Sequence, residues 1–255
     1  MAQSPRSTTP VSKCIDLATY SARMLGKFHS NAVLVGLAAR MEAAGEALDA
    51  AQSVYVNAVK AILLTRVDVK YEDHVSDQRI RALLMKAQLA DGKRGGPIAA
   101  QLLPSGSSEI IRRLGRSQVQ EMVNLEGRLS AVLPMWPDAA GELADITAHR
   151  ATYAAALDGR EQARQVARDL RAARNVQKEL FVTTYTEIVS LVAAQFPRDK
   201  AAQDLFFDEL KSRSVARSAD EGDDEAEASA DGGDAGGDEA EAGAEGVGAA
   251  EDEPA

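Results

Sequence analysis

Nine apolar positions between Leu34 and Ile62 set the terms for any fold this chain adopts. Leu34, Leu37, Met41, Ala44, Leu48, Ala51, Tyr55, Ala58 and Ile62 follow one another at steps of three and four. That spacing places side chains along one side of an α-helix. The pattern predicts a helix from about Ser30 to Val67, roughly 57 Å long at the usual rise per residue. A rod of that length cannot hide its own seam, so it must lie against another rod.

The second half of the chain supplies one. Leu143, Ile146, Arg150, Tyr153 and Leu157 lead to Asp158-Gly159, read as a kink. Val166, Leu170, Ala173, Leu180, Thr184, Ile188 and Leu191 then carry the same spacing to Gln195. Shorter helices are predicted at Lys13–Phe28, at Asp77–Leu89 after a break through Tyr71–Val75, from Ser107 or Ser108 to about Val132, and from Asp199 to about Lys211. Gly92, Gly95, Gly96, Pro97, Pro104 and Gly106 mark 92–106 as a hinge. Pro134 and Pro137 bracket Trp136 in a turn, with Trp136 read as a hydrophobic anchor at the end of the bundle.

The predicted organisation is therefore a disordered arm (1–11), a helical half (12–91), the hinge (92–106), a second helical half (107–217) and a tail (218–255). A shift of 122 residues superposes Leu48 on Leu170, Val54 on Val176, Val67 on Val189 and Asp77 on Asp199. In each half a long rod, a break and a short helix opened by Asp fall in register. The expectation is an elongated antiparallel all-α bundle made of two similar helical hairpins.

Composition agrees with helices. The 255 residues are 45% apolar but only 4% aromatic, a poor supply for a β-sandwich. Charge is divided along the chain. Of 39 acids, fifteen fall between Ser218 and Ala255, where there is no Lys or Arg; residues 1–217 keep 24 acids against 29 bases. The tail buries too little apolar surface to offset the entropy of ordering its backbone, and is expected to be disordered. Cys14 is the sole cysteine, which excludes an internal disulfide and a cysteine zinc site. The opening MAQSPRSTTPV has no apolar core of a secretory signal, and no apolar run reaches the ~20 residues of a bilayer span. A cytoplasmic protein without a membrane partner is the expectation.

One charge pattern points to binding. Arg160, Arg164, Arg168, Arg171, Arg174 and Lys178 recur at steps of four, four, three, three and four, which sets six cations on one side of the last long helix. Such a stripe suits phosphates along a nucleic acid, with the acidic tail as an autoinhibitor. Its plainer reading is a solvated helix face partly neutralised by Glu161, Asp169 and Glu179. No aromatic residue interleaves the stripe to stack bases.

Metal and catalytic patterns are weaker. A di-metal bundle uses Glu-x-x-His pairs, and none of His29, His74 or His149 has Glu three residues before it. Glu142, Asp145 and His149 do share a helix face, and Glu72 and Asp73 precede His74. Gly92-Lys93-Arg94-Gly95-Gly96 lacks the P-loop arrangement. The expected function is a non-enzymatic helical interaction or scaffold protein without a cofactor. It would have a protein partner, self-association would suit it, and the tail would modulate solubility or partner access. A nucleic-acid-associated protein and a metal-binding bundle are the alternatives.

Overall fold

The computed structural model describes residues 4–208. The acidic tail and the far end of the last predicted helix lie outside the described residues. Among the described residues there are seven helices and no strand: α1 (Val11–Gly26), α2 (Ala32–Ala90), α3 (Pro97–Leu102), α4 (Ser108–Ile111), α5 (Arg116–Val132), α6 (Ala139–Gln195) and α7 (Lys200–Leu205).

Two rods dominate. At 59 and 57 residues, α2 and α6 are each roughly 85–90 Å long. They run antiparallel. Arg40 pairs with Glu187, Arg174 bonds to Gln52, Tyr153 bonds to Asp73, and Lys86 pairs with Glu142. Local chemistry starts and stops the helices. The Asn31 carboxamide oxygen accepts from the Val33 and Leu34 amides at 3.0 and 3.3 Å, and the Asp199 carboxylate accepts from Ala202 at 2.9 Å; both satisfy amides that a helix start leaves orphaned.

The apolar material gathers into two cores. The first joins Cys14, Leu17 and Leu25 of α1 to Leu34, Met41 and Leu48 of α2 and to Phe181, Tyr185, Ile188 and Val192 of α6, with Phe206 and Phe207 closing its end. The second joins Ile80, Leu83 and Ala87 at the other end of α2 to α3, to Met122, Leu125 and Leu129 of α5, and to Ala139, Ile146 and Tyr153 of α6. Trp136 is buried in this second core, as an anchor should be.

Several expectations need correction. The break at Tyr71–Val75 does not form; α2 runs straight through it, because its polar side chains meet α6 and do not face a loop. Helix α6 likewise continues through Asp158-Gly159. Asp77, expected to open a helix, lies inside α2, so the correspondence between the halves is lost there, while Asp199 does cap α7. The glycine-rich 92–106 segment holds α3, whose Ile98, Ala99 and Leu102 are buried. The Asp91 carboxylate reaches over to accept from the Ile98 and Ala99 amides at 3.0 and 2.9 Å. Gly96 allows this approach: a Cβ there would fall 2.3 Å from the Asp91 carboxyl carbon.

Candidate interaction surfaces

The stripe Arg160, Arg164, Arg168, Arg171, Arg174 and Lys178 lies along the flank of α6 that borders α2. Only Arg168 is exposed; the other five are half-buried. The equal spacing was read correctly as one side of a helix, but spacing does not say what that side faces. Arg174 packs over the Tyr55 ring, 4.4 Å from its centroid, and donates to Gln52. Glu161 draws in Arg168 at 2.8 Å and Arg164 at 3.9 Å. Toward its C-terminal end the stripe opens into a groove of about 480 Å³ bounded by Arg171, Arg174, Asn175 and Lys178 on α6 and by Ser7 of the N-terminal arm. Three cations with hydroxyl and amide donors suit an anion, although Glu179 also borders the groove.

A second surface was not foreseen. Among the described residues, α2 buries no side chain between Tyr55 and Ser76, and α6 buries only Ala167 between Tyr153 and Phe181. Neither α1 nor the α3–α5 group reaches this middle stretch with its core residues. Yet it is not polar. Leu63, Leu64, Val67 and Tyr71 stand 59–67% exposed, at the three–four spacing of a helix face turned away from α6. The missed signal was the second apolar set in Ile62-Leu63-Leu64-Thr65-Arg66-Val67, which a single seam cannot absorb. Contiguous apolar surface of this kind marks contact sites more often than isolated exposed residues do.

A buried polar cluster closes the middle stretch where α5 begins. His149 Nε2 is 2.8 Å from Ser76 Oγ, and Nδ1 is 3.3 Å from Glu72 Oε2. Burial pushes the His149 imidazole below its ordinary pKa, helped by Arg79 and opposed by Glu72. In the neutral ring, Nδ1–H then donates to Glu72 and Nε2 accepts from the Ser76 hydroxyl. Beside it the Tyr153 hydroxyl donates to Asp73 Oδ1 and accepts from the Gly115 amide, both at 3.1 Å. Burial raises the Asp73 carboxyl above its usual range.

Carboxylate, imidazole and hydroxyl in line are the parts of an activated nucleophile. Here Ser76 has no exposed surface and touches Met122 Sδ at 4.0 Å, so no substrate reaches its oxygen. The cluster instead ties α2, α5 and α6 into one register. The sequence had grouped Glu72 and Asp73 with His74; the structure gives them to His149 and Tyr153, while His74 faces Gln78 at 2.8 Å. Among the described residues, no three His, Cys, Asp or Glu side chains converge as a metal site would require. Cys14 is buried, and no described helix is long and apolar enough to cross a membrane.

Comparison with protein families, with curated proteins and with solved structures finds no match for this chain.

Proposed function

We propose that this chain is a non-enzymatic helical interaction protein of the cytoplasm, which binds protein through the bare middle of its α2–α6 pair. The carrying observation is the stripe Leu63, Leu64, Val67 and Tyr71, apolar and exposed in the interior of a long regular helix. Leaving such a face in water forgoes stabilisation that any covering surface would restore. The one nucleophile–base arrangement on the page is sealed, which supports a binding role over a catalytic one. The acidic stretch 218–255 serves solubility in this reading. Purification from the native host with wild-type and Leu64→Glu/Val67→Glu chains tests it: a protein retained by the first and lost by the second supports the proposal, and identical retention by both refutes it.

A second reading is favoured by the Arg171–Lys178 groove, which gathers three cations and Ser7. It makes the chain a polyanion binder with a smaller footprint than the six-residue stripe. Titration with a single-stranded oligonucleotide across a salt series, using Arg171→Glu/Lys178→Glu, decides it. Tight binding with a steep salt slope that the variant abolishes supports this reading; salt-insensitive or absent binding removes it.

A further inference from the structure

We propose that the partner covering the bare middle of α2 is a second copy of this chain, paired antiparallel about a twofold axis at Val67. This deepens the interaction reading and rests on it.

The geometry of the middle stretch suits its own duplicate. From Tyr55 to Ser76 α2 runs roughly 30 Å with only α6 beside it. The stretch is bounded at one end by α1 and at the other by α3–α5. Two helices side by side are about 20 Å across, so the middle of one copy seats between the built-up ends of the other. Two copies then bring four helices together, and each outer stripe gains the facing layer it lacks.

Area and charge select the same occupant and its direction. At their exposures, Leu63, Leu64, Val67 and Tyr71 offer on the order of 400 Å² of surface per copy. The aliphatic stems of the flanking Lys60, Arg66 and Lys70 extend the face toward the ~800 Å² per partner of a standard interface. About an axis at Val67, Leu63 meets Tyr71 of the second copy, Lys70 lies along Leu64, and Asp68 falls opposite Arg66. Parallel pairing would instead set Asp68 on Asp68 and Lys70 on Lys70, like charge against like. Isologous contacts of this form close on themselves and stop at two.

The test uses the full chain at about 0.15 M salt, where long-range charge is screened. Sedimentation velocity should give twice the chain mass. Leu64→Glu/Val67→Glu should give the single mass with unchanged far-ultraviolet circular dichroism. Under mild oxidation, Val67→Cys should form a 67–67 disulfide dimer and Ser53→Cys should not; this readout decides even if the double variant unfolds. A wild-type chain of single mass, a dimer indifferent to the double variant, or cross-linking at 53 in place of 67 overturns the proposal. If a monomer still captures a host protein through Leu64 and Val67, self-pairing fails and the interaction reading stands. If it captures none, both fail. Binding of the stripe to anionic vesicles in place of a second copy also overturns self-pairing.

Discussion

The guanidinium of Arg174 lies over the ring of Tyr55, 4.4 Å from its centroid, where α6 crosses the start of the bare stretch of α2. Arg174→Ala removes this contact and the bond to Gln52 together. The expected cost is about 1–2 kcal/mol in urea unfolding. Arg168 is exposed and bonds within its own helix to Glu161 and Gln165, so Arg168→Ala should change stability by less than about 0.5 kcal/mol. Equal costs would mean that spacing alone, and not the neighbour across the seam, sets the role of each arginine.

Glycines in the rods should divide by what surrounds them. A Cβ on Gly45 would fall 2.6 Å from the Ala18 Cβ of α1, whereas Cβ atoms on Gly36 and Gly159 meet nothing within 4 Å. Gly36→Ala and Gly159→Ala should each raise stability by about 0.5–1 kcal/mol through helix propensity. Gly45→Ala should lower the thermal midpoint, because two helix backbones must part to admit it.

Acid should weaken the end of the molecule that holds His149. Its folded pKa is depressed, chiefly by burial, so below about pH 6.5 the unfolded chain binds the proton more readily than the folded one. The stabilisation is fully present above that pH and is lost as pH falls toward the lower folded value. Asp73 is shifted upward and works the other way: it favours the folded state below the ordinary carboxylate range, a contribution lost as pH rises through its raised value. Urea midpoints measured from about pH 7.5 to pH 5.5 should fall for wild type and stay flatter for His149→Gln. A variant with an unchanged pH profile would show that His149 does not titrate in this window.

The ring cluster closing the first core provides a packing test. Phe206 is fully buried, with centroids 4.9 Å from Phe28 and 5.6 Å from Phe196. Phe206→Ala should cost about 3–5 kcal/mol, read as a lower denaturant midpoint. A loss under 1 kcal/mol would mean that α7 and the residues after it contribute little to this core.

Periodicity made the two rods legible, and the errors share a cause. Tyr71-Glu72-Asp73-His74-Val75 reads as a break because polar residues cluster there. In the fold Glu72 and Asp73 reach partners on α6 some eighty positions away, at His149 and Tyr153, and no local pattern contains that information. Gly92, Gly95 and Gly106 do turn the chain, with φ of 67, 67 and 80°, but Pro97–Leu102 between them becomes a helix because Asp91 caps it from outside and its apolar side is buried. The arginine stripe shows the same limit: step lengths place six cations on one side of α6, and only the approach of α2 determines which of them remain in water. The apolar residues at Leu63, Leu64 and Val67 were present in the sequence, but one seam already accounted for the helix.

Two cores that share helices but no side chains carry a thermodynamic consequence. Melting either end removes none of the burial that holds the other, so the cooperativity of this chain must be transmitted through the backbone of α2 and α6 alone. Heating should then release the molecule in stages, with amide exchange fastest along the stretch between Tyr55 and Ser76, and a single unfolding free energy will not describe it.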